Sequence, residues 1–192
     1  MTEKPEGPFL EILLDSATIT RRVEELGAQI SAEYKGRPLH LIGILKGSWV
    51  FMADLIRHLD VPVTVDFLGF TSYGDGQSSS GQVKITKDLD SSIEGLDVLV
   101  VEDILDTGHT FHYLRAVLSR RKPRSMKVVT LLDKPSRRIN PVSADFVGFT
   151  IPDAFVVGYG LDHAQRYREL PDVCILHLPQ QDLEKARDST PE

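Results

Sequence analysis

The sequence is poor in the features that mark secreted, zinc-binding or disulfide-stabilised proteins. It has one cysteine in 192 residues, Cys174, so no internal disulfide can form and nothing argues for an oxidising compartment. Cys174 lies in the apolar run Val173–Leu176, which favours a buried structural thiol over a reactive one. There is no zinc-type spacing of cysteine and histidine, and neither GxxxxGK[ST] nor GxGxxG occurs.

Positive charge is also scarce, because 22 Lys and Arg residues face 28 Asp and Glu residues and the net charge is −6. The chain therefore has no general attraction to nucleic acid or to an anionic membrane, and an anionic ligand must be held by local groups or by a metal. No segment approaches the roughly 20 apolar residues that cross a bilayer, and the N-terminus lacks the apolar core of a secretory signal. We expect a cytoplasmic protein without nucleic-acid or membrane partners.

The sequence does contain enough apolar residues, 41%, for a substantial core, and its length predicts a single domain over residues 1–192. Strand-like apolar runs alternate with helical stripes in mid-chain, which predicts an α/β fold with a mainly parallel sheet and helices on both faces. The Gly- and Ser-rich segment of about 71–81 predicts a flexible loop at the bend of a hairpin. The polar segment of about 180–192 predicts a frayed tail.

Hydrophobic periodicity places the individual elements. The predicted helices cover residues 16–35, 49–59 and 109–121, and the predicted strands cover residues 40–45, 61–70, 82–85, 125–132, 146–149, 155–157 and 173–176, with a central strand that begins at Val98.

The stretch Val98–Thr110, VLVVEDILDTGHT, is the most informative part of the chain. Its apolar start predicts a buried strand, and the turn into the following helix leaves backbone N–H groups without partners, which a phosphate can satisfy. Thr107 and Thr110 add hydroxyl donors, and Gly108 permits a close approach that a β-carbon would obstruct. The stretch therefore predicts a phosphate cradle.

Two carboxylates, Glu102 and Asp103, precede this cradle and would repel a phosphate unless they bind something else. Sugar hydroxyls or a hard cation such as Mg²⁺ would resolve the conflict, and the alternative is a pair of solvated acidic side chains. Lys46 and Lys134 also follow predicted strands. Because ligands of parallel sheets bind beyond the carboxyl ends of the strands, we expect both lysines to lie at the same edge as the cradle.

EDILDTGHT preceded by VLVV resembles the phosphoribosyl pyrophosphate (PRPP) signature of the type I phosphoribosyltransferases, particularly the bacterial hypoxanthine-guanine enzymes. LKGSWVF, TSYG, LLDKPSRR and the run DFVGFTIPDAFVVGYGLDHAQRYREL extend the similarity over most of residues 40–176. The resemblance implies a central, mainly parallel sheet flanked by helices, a small hood and a flexible hairpin loop. It also implies transfer of the 5-phosphoribosyl group from PRPP to hypoxanthine, guanine or both in purine salvage, with Mg²⁺ and with release of pyrophosphate.

The same resemblance assigns the residues around the cradle. Glu102 and Asp103 would bind the ribose hydroxyls and lie near the metal, and Asp106 would be the general base that faces nitrogen 7 of the purine. The 5′-phosphate would be bound by residues 106–110, which are Asp106, Thr107, Gly108, His109 and Thr110. Relatives often carry Lys or Asn at the position of His109. Two alternatives therefore remain for the His109 ring, which either contacts the phosphate or is exposed to solvent.

On the purine side, the resemblance makes Lys134 a donor to the 6-oxo group, Phe155 a stacking partner and Val156 a main-chain contact at the edge that carries the guanine amino group. Asp162 would be the metal-side carboxylate of this region. Without the resemblance, Lys134 would be interpreted as a surface lysine and Phe155 as core packing. His163, where relatives often carry Tyr, would alter the wall near Asp162.

On the pyrophosphate side, Lys46 and Gly47 resemble the family's pyrophosphate loop, in which the peptide before the lysine can be cis. Arg168 would contact pyrophosphate, although an isolated arginine is more often a solvated helix residue. Ser72 and Tyr73 would belong to the loop that closes over pyrophosphate and excludes water. An ordinary flexible loop is the alternative there.

Two further alternatives accompany these predictions. A xanthine-preferring enzyme would differ only in pocket details, and a PRPP-sensing regulator that binds nucleic acid would need a basic face that the net charge disfavours. The presence of both Asp106 and Lys134 also disfavours the regulator. The resemblance suggests a homodimer or homotetramer, with the apolar helix at Trp49 as one candidate surface.

Overall fold

The fold is described by a computed structural model over residues 7–72 and 83–178. The elements of this part of the chain are β1 (Phe9–Leu14), α1 (Ser16–Glu33), β2 (Leu39–Leu45), α2 (Trp49–Leu55), β3 (Val63–Ser72), β4 (Val83–Lys87), β5 (Asp97–Leu105), α3 (His109–Ser119), β6 (Ser125–Asp133), β7 (Phe146–Thr150), β8 (Val156–Val157) and β9 (Val173–His177). Two 3₁₀ turns, Ile56–His58 and Pro135–Arg137, follow α2 and β6.

Six strands form the main sheet in the order β4-β3-β2-β5-β6-β7. The pairs β2/β3, β2/β5, β5/β6 and β6/β7 are parallel, and only β4 runs antiparallel to its neighbour. The nearly continuous apolar runs of β2 and β5 suit this position because parallel strands are covered on both faces. The prediction of a mainly parallel sheet is confirmed, and the carboxyl ends of β2, β5 and β6 lie side by side.

The helices cover the two faces of this sheet. On one face, the apolar stripe of α1 packs with Leu99 and Val101 of β5, and on the other face Phe111 and Leu114 of α3 pack with Val98 and Val100. Successive residues of β5 therefore contribute to opposite halves of the core, as strand geometry requires. The central strand is fixed from both sides, and the loop that follows it has a rigid base.

A second, smaller sheet has the strand order β1-β9-β8. Strand β1 pairs antiparallel with β9, so that Phe9 faces His177, and Cys174 of β9 is buried. This sheet corresponds to the small hood that the resemblance implies. Strand β1 was not predicted from the sequence; its partner strand is more than 150 residues away, and most of FLEILL is exposed in the structure.

Several element boundaries differ from the predictions. Helix α1 ends at Glu33 and not at Lys35, and the predicted helix 49–59 divides into α2 and a 3₁₀ turn. Helix α3 ends at Ser119, and Lys122 takes a left-handed conformation with φ of +54°. In the part of the chain that the structure describes, no helix is long and apolar enough to span a membrane.

The predicted hairpin is present, since β3 and β4 pair antiparallel and Ser72 lies opposite Val83. Ser72 is the last residue of β3. Tyr73, most of the predicted loop 71–81 and the predicted tail 180–192 lie outside the described residues.

Candidate active site

Four segments meet at the carboxyl edge of the main sheet. Gly47, after β2, lies so close to the Asp103 carboxylate that a β-carbon on Gly47 would overlap it. A β-carbon on Gly160 would likewise overlap the carbonyl oxygen of Gly47. After β6, the N–H of Lys134 donates to the carbonyl oxygen of Leu105 at 3.0 Å. The structure therefore brings together the loops that the sequence predicts at one edge.

The acidic pair at this edge is an unfavourable arrangement of charge. Glu102 is buried, and burial together with the neighbouring Asp103 charge raises the pKa of Glu102 well above its usual range. Burial also raises the pKa of Asp103 to about 6, although Asp103 Oδ1 accepts a hydrogen bond from the Ile104 N–H at 2.9 Å and Arg168 supplies positive charge. Hydroxyl donors or a cation would relieve this cost.

Lys46, Asp162 and Arg168 lie near the acidic pair. Arg168 forms an ion pair with Asp162 at 2.6 Å and donates to the Gly160 carbonyl oxygen at 2.7 Å. Lys46 Nζ donates to Gln165 Oε1 at 3.1 Å, and the Leu45–Lys46 peptide is cis. Three of the predicted residues from distant parts of the sequence therefore form one charged cluster.

The loop between β5 and α3 has the geometry of an anion cradle. Gly108 precedes α3 with φ of +85°, and a β-carbon there would lie 2.5 Å from a methyl group of Val142. Thr107 Oγ1 accepts from the His109 N–H at 3.4 Å. The His109 ring contacts protein, since its Nδ1 lies 2.9 Å from Nδ2 of Asn140. The N–H groups in the first turn of an α-helix have no acceptor within the helix, and a phosphate site uses such donors.

The burial of Lys134 and Phe155 is the opposite of what the sequence would predict without the family resemblance. Lys134 is 6% exposed and therefore is not a surface lysine, while Phe155 is 38% exposed and therefore is not core packing. Burial lowers the pKa of Lys134, and the charges of Asp106 and Asp153 act in the opposite direction. The combination of a buried cation and a partly exposed aromatic ring suits a flat ligand with a hydrogen-bond acceptor.

The surroundings of Phe155 come from the small sheet. Val156 is buried in β8, and the carbonyl oxygen of Phe155 accepts from the Leu176 N–H at 2.9 Å. The ring of His163 meets Phe155 edge-on, with 5.4 Å between the ring centroids. His163 thus forms part of the wall behind this aromatic ring.

The sequence model of the phosphoribosyl transferase domain family matches residues 10–164 of this chain. The chain belongs to this family. It is 52% identical over 166 residues to the hypoxanthine-guanine phosphoribosyltransferase of Bacillus subtilis, which covers 86% of this chain and 92% of the relative. It is 53% identical over 164 residues to the hypoxanthine phosphoribosyltransferase of Escherichia coli, covering 84% and 92%.

Solved structures agree with this assignment. The crystal structure of a hypoxanthine phosphoribosyltransferase from Staphylococcus aureus superposes with a TM-score of 0.83 at 50% identity, covering 87% of this chain and 91% of that one. A Bacillus anthracis hypoxanthine-guanine phosphoribosyltransferase with HEPES in its active site has a TM-score of 0.83 at 42% identity, covering 88% and 99%. The predicted type I phosphoribosyltransferase fold is confirmed.

Two groups of polar residues at the site of this phosphoribosyltransferase were not predicted from the sequence. Gln165 accepts a hydrogen bond from Lys46 and lies 3.5 Å from Arg168, in a loop where Ala164, Gln165 and Tyr167 all have positive φ. Arg137 and Arg138 contact the Asp106 residue. The second group lies inside the quoted segment LLDKPSRR, but nothing in the sequence indicates which way the two arginines turn.

Proposed function

We propose that this phosphoribosyltransferase transfers the 5-phosphoribosyl group of PRPP to hypoxanthine, guanine or both, forming IMP or GMP and releasing pyrophosphate. The observation that carries the proposal is the buried Lys134, which lies at the same sheet edge as the phosphate cradle and the acidic pair. The relatives named above act on the same class of base according to their names.

Lys134 selects the base in this proposal. Its ammonium group donates to the 6-oxo oxygen of hypoxanthine or guanine, with Phe155 stacked on the ring and the Val156 main chain at the edge that carries the guanine amino group. Adenine presents an amino donor in place of the oxygen, so the buried ammonium would lose its partner. An unmatched buried polar group costs about 1–3 kcal/mol, and more when it is charged.

The ribose phosphate occupies the loop after β5. Glu102 and Asp103 bind the ribose hydroxyls, and the 5′-phosphate is held by the segment 106–110 with the hydroxyls of Thr107 and Thr110. Gly108 supports this role because its conformation and its contact with Val142 leave no room for a side chain. The contribution of His109 is confined to its backbone N–H as long as its ring contacts Asn140.

Asp106 is the general base. Its carboxylate is 36% exposed and Coulombic interactions link it to Lys134, so it lies beside the proposed base site and is open to a ligand. It accepts the proton from nitrogen 7 of the purine as nitrogen 9 attacks the anomeric carbon. A positioned base contributes about 10²- to 10⁴-fold to the rate.

Mg²⁺ is the cofactor in this proposal. Within residues 7–72 and 83–178, no three or more His, Cys, Asp and Glu side chains are arranged as a metal site. Mg²⁺ is commonly held by one or two carboxylates together with substrate phosphates, and the neighbouring carboxylates Glu102 and Asp103, with Asp162 near Asp103, would supply them. When bound, Mg²⁺ would neutralise charge that develops on pyrophosphate.

Lys46, the Gly47 main chain and Arg168 hold the pyrophosphate in this scheme. Lys46 and Arg168 both contact Gln165, so the two cations are already directed to one place. Ser72 and Tyr73 belong to the segment that closes over them and excludes water. Residues 1–192 are proposed to form a single domain, and the enzyme is proposed to form a homodimer or homotetramer and to work in the cytoplasm.

The experiment that tests this function uses purified protein, PRPP and Mg²⁺ with hypoxanthine, guanine, xanthine or adenine in separate reactions, while pyrophosphate release is followed. We expect turnover with hypoxanthine, guanine or both. Failure with every 6-oxopurine would refute the proposal, preference for xanthine would change the substrate, and preference for adenine would refute the role of Lys134.

A further inference from the structure

Two consecutive arginines hold the Asp106 residue at different atoms. Arg137 Nε donates to Asp106 Oδ1 at 3.2 Å, and Arg138 Nη1 donates to the Asp106 carbonyl oxygen at 2.9 Å. Arg138 is also paired with Asp133, the last residue of β6. The main chain of Asp106 is thus tied to the sheet, while its carboxylate is held separately by Arg137.

Arg137 engages only one oxygen of the carboxylate. In the described part of the chain no hydrogen bond reaches Asp106 Oδ2, so the second oxygen is available to a ligand. The side chains of Arg137 and Asp106 are 46% and 36% exposed. A partly exposed ion pair of this kind contributes little to stability, and its consequence here is the orientation of the carboxylate.

Arg137 is itself held through both its backbone and its guanidinium. Its backbone N–H donates to the Lys134 carbonyl oxygen at 3.1 Å, within the 3₁₀ turn Pro135–Arg137. Its Nη1 lies 3.8 Å from Oδ1 of Asp153, two residues before Phe155. The guanidinium therefore joins the loop of the proposed base to the segment that carries the proposed stacking ring.

We propose that Arg137 is a positioning residue that fixes the Asp106 carboxylate with Oδ2 directed at nitrogen 7 of the purine, and that Asp153 keeps the Arg137 guanidinium in place. The inference rests on the proposed function. The proton leaves nitrogen 7 and binds to Asp106, and Arg137 forms no bond with the substrate. Its effect should therefore depend on the presence of the Asp106 carboxylate.

The test is a double-mutant cycle with the full-length enzyme. Wild type, Arg137→Gln, Asp106→Asn and the double variant are assayed with hypoxanthine at saturating PRPP, and kcat and both KM values are measured. Arg137→Gln should lower kcat about tenfold, less than the roughly 100-fold loss that a 1 Å misplacement produces. Its KM for PRPP should not change, and Arg137→Lys should recover part of the loss because the cation is retained.

The Asp106→Asn background separates positioning from a general structural effect. There, Arg137→Gln should lower kcat little further, because no carboxylate remains to be oriented. Arg57→Gln is the matched control, since Arg57 forms a similar exposed pair with Asp54 at 3.4 Å, and it should leave kcat unchanged. Asp153→Asn should reproduce a smaller part of the Arg137→Gln loss, and it carries the same test if Arg137→Gln does not fold.

The outcomes separate this inference from the proposed function. A wild-type enzyme that converts no purine would refute the proposed function and the inference with it. An active wild type with a fully active Arg137→Gln variant would refute only the inference. Equal losses from Arg137→Gln in both backgrounds would also overturn it, because the arginine would then act independently of Asp106.

Discussion

Replacing Gly160 by alanine should destabilise the protein and disturb the Lys46–Gly47 loop. Gly160 has φ of +100°, which costs an L-residue about 1–2 kcal/mol. A β-carbon there would also overlap the carbonyl oxygen of Gly47 and lie 3.5 Å from Cβ of Val50. Because the backbone must move apart to admit it, we expect a further loss of about 1–3 kcal/mol. The free energy of unfolding should fall by about 2–5 kcal/mol in total.

Gly36→Ala is the matched control for this change. Gly36 also has a positive φ, +73°, but a β-carbon there would meet no atom within 4 Å. Urea unfolding at one protein concentration should show a loss of only about 1–2 kcal/mol for this variant. Gly160→Ala should in addition raise the KM for PRPP, because the displaced peptide belongs to Gly47. If the two variants lose equal stability, the close approach of Gly160 to Gly47 is not a constraint and the reasoning fails.

Three further predictions concern charged residues. Lys134→Gln should lower kcat/KM for hypoxanthine about 10- to 100-fold, because hydrogen bonds to charged groups contribute about 1.5–3 kcal/mol. The variant should not lower the rate with adenine, and equal losses with both bases would contradict the role of Lys134. Asp106→Asn should lower kcat about 10²- to 10⁴-fold while calorimetry shows unchanged PRPP affinity, and a fully active variant would exclude Asp106 as the base. The hydrogen bond with Arg124 lowers the pKa of Asp97 from 3.8 to about 2, so the carboxylate stabilises the fold above about pH 4 and this contribution is lost as the pH falls toward 2. Asp97→Asn should therefore cost about 1–3 kcal/mol at pH 7, and urea unfolding at pH 2 should show that most of the gap to wild type has been lost.

The parallel sheet was predictable because its signals are local. The run His40–Leu45 and the run that begins at Val98 are apolar without alternation, and that pattern is typical of strands covered on both faces. The positions of Lys46 and Lys134 at one edge followed from the rule that ligands bind beyond the carboxyl ends of such strands. In each case the information lies within a few residues of the feature that it predicts.

The missed features depend on contacts between distant residues. Strand β1 pairs with β9, and the six residues FLEILL do not by themselves indicate a partner strand at the other end of the chain. Gln165 is directed at Lys46 by a run of left-handed backbone conformations that no local propensity predicts for these residue types. The contact of Arg137 with Asp106 depends on a side-chain rotamer, and an exposed arginine has many of nearly equal energy.

The strand order gives a physical reason for the arrangement of the proposed site. Lys46 follows β2, the acidic pair lies near the carboxyl end of β5 and Lys134 follows β6, and these three strands are adjacent in the sheet in that order. Neighbouring strands lie about 4.8 Å apart, so the three groups form a row of positive, negative and positive charge about 10 Å long. Under the proposed roles, pyrophosphate, ribose and purine occupy the same row in the same order as their bonds in the reaction. The order of the strands in this βαβ arrangement therefore sets the order of the three parts of the substrate. Contacts between the loops, such as those of Gly47 with Gly160 and of Arg137 with Asp106, need only adjust distances within the row.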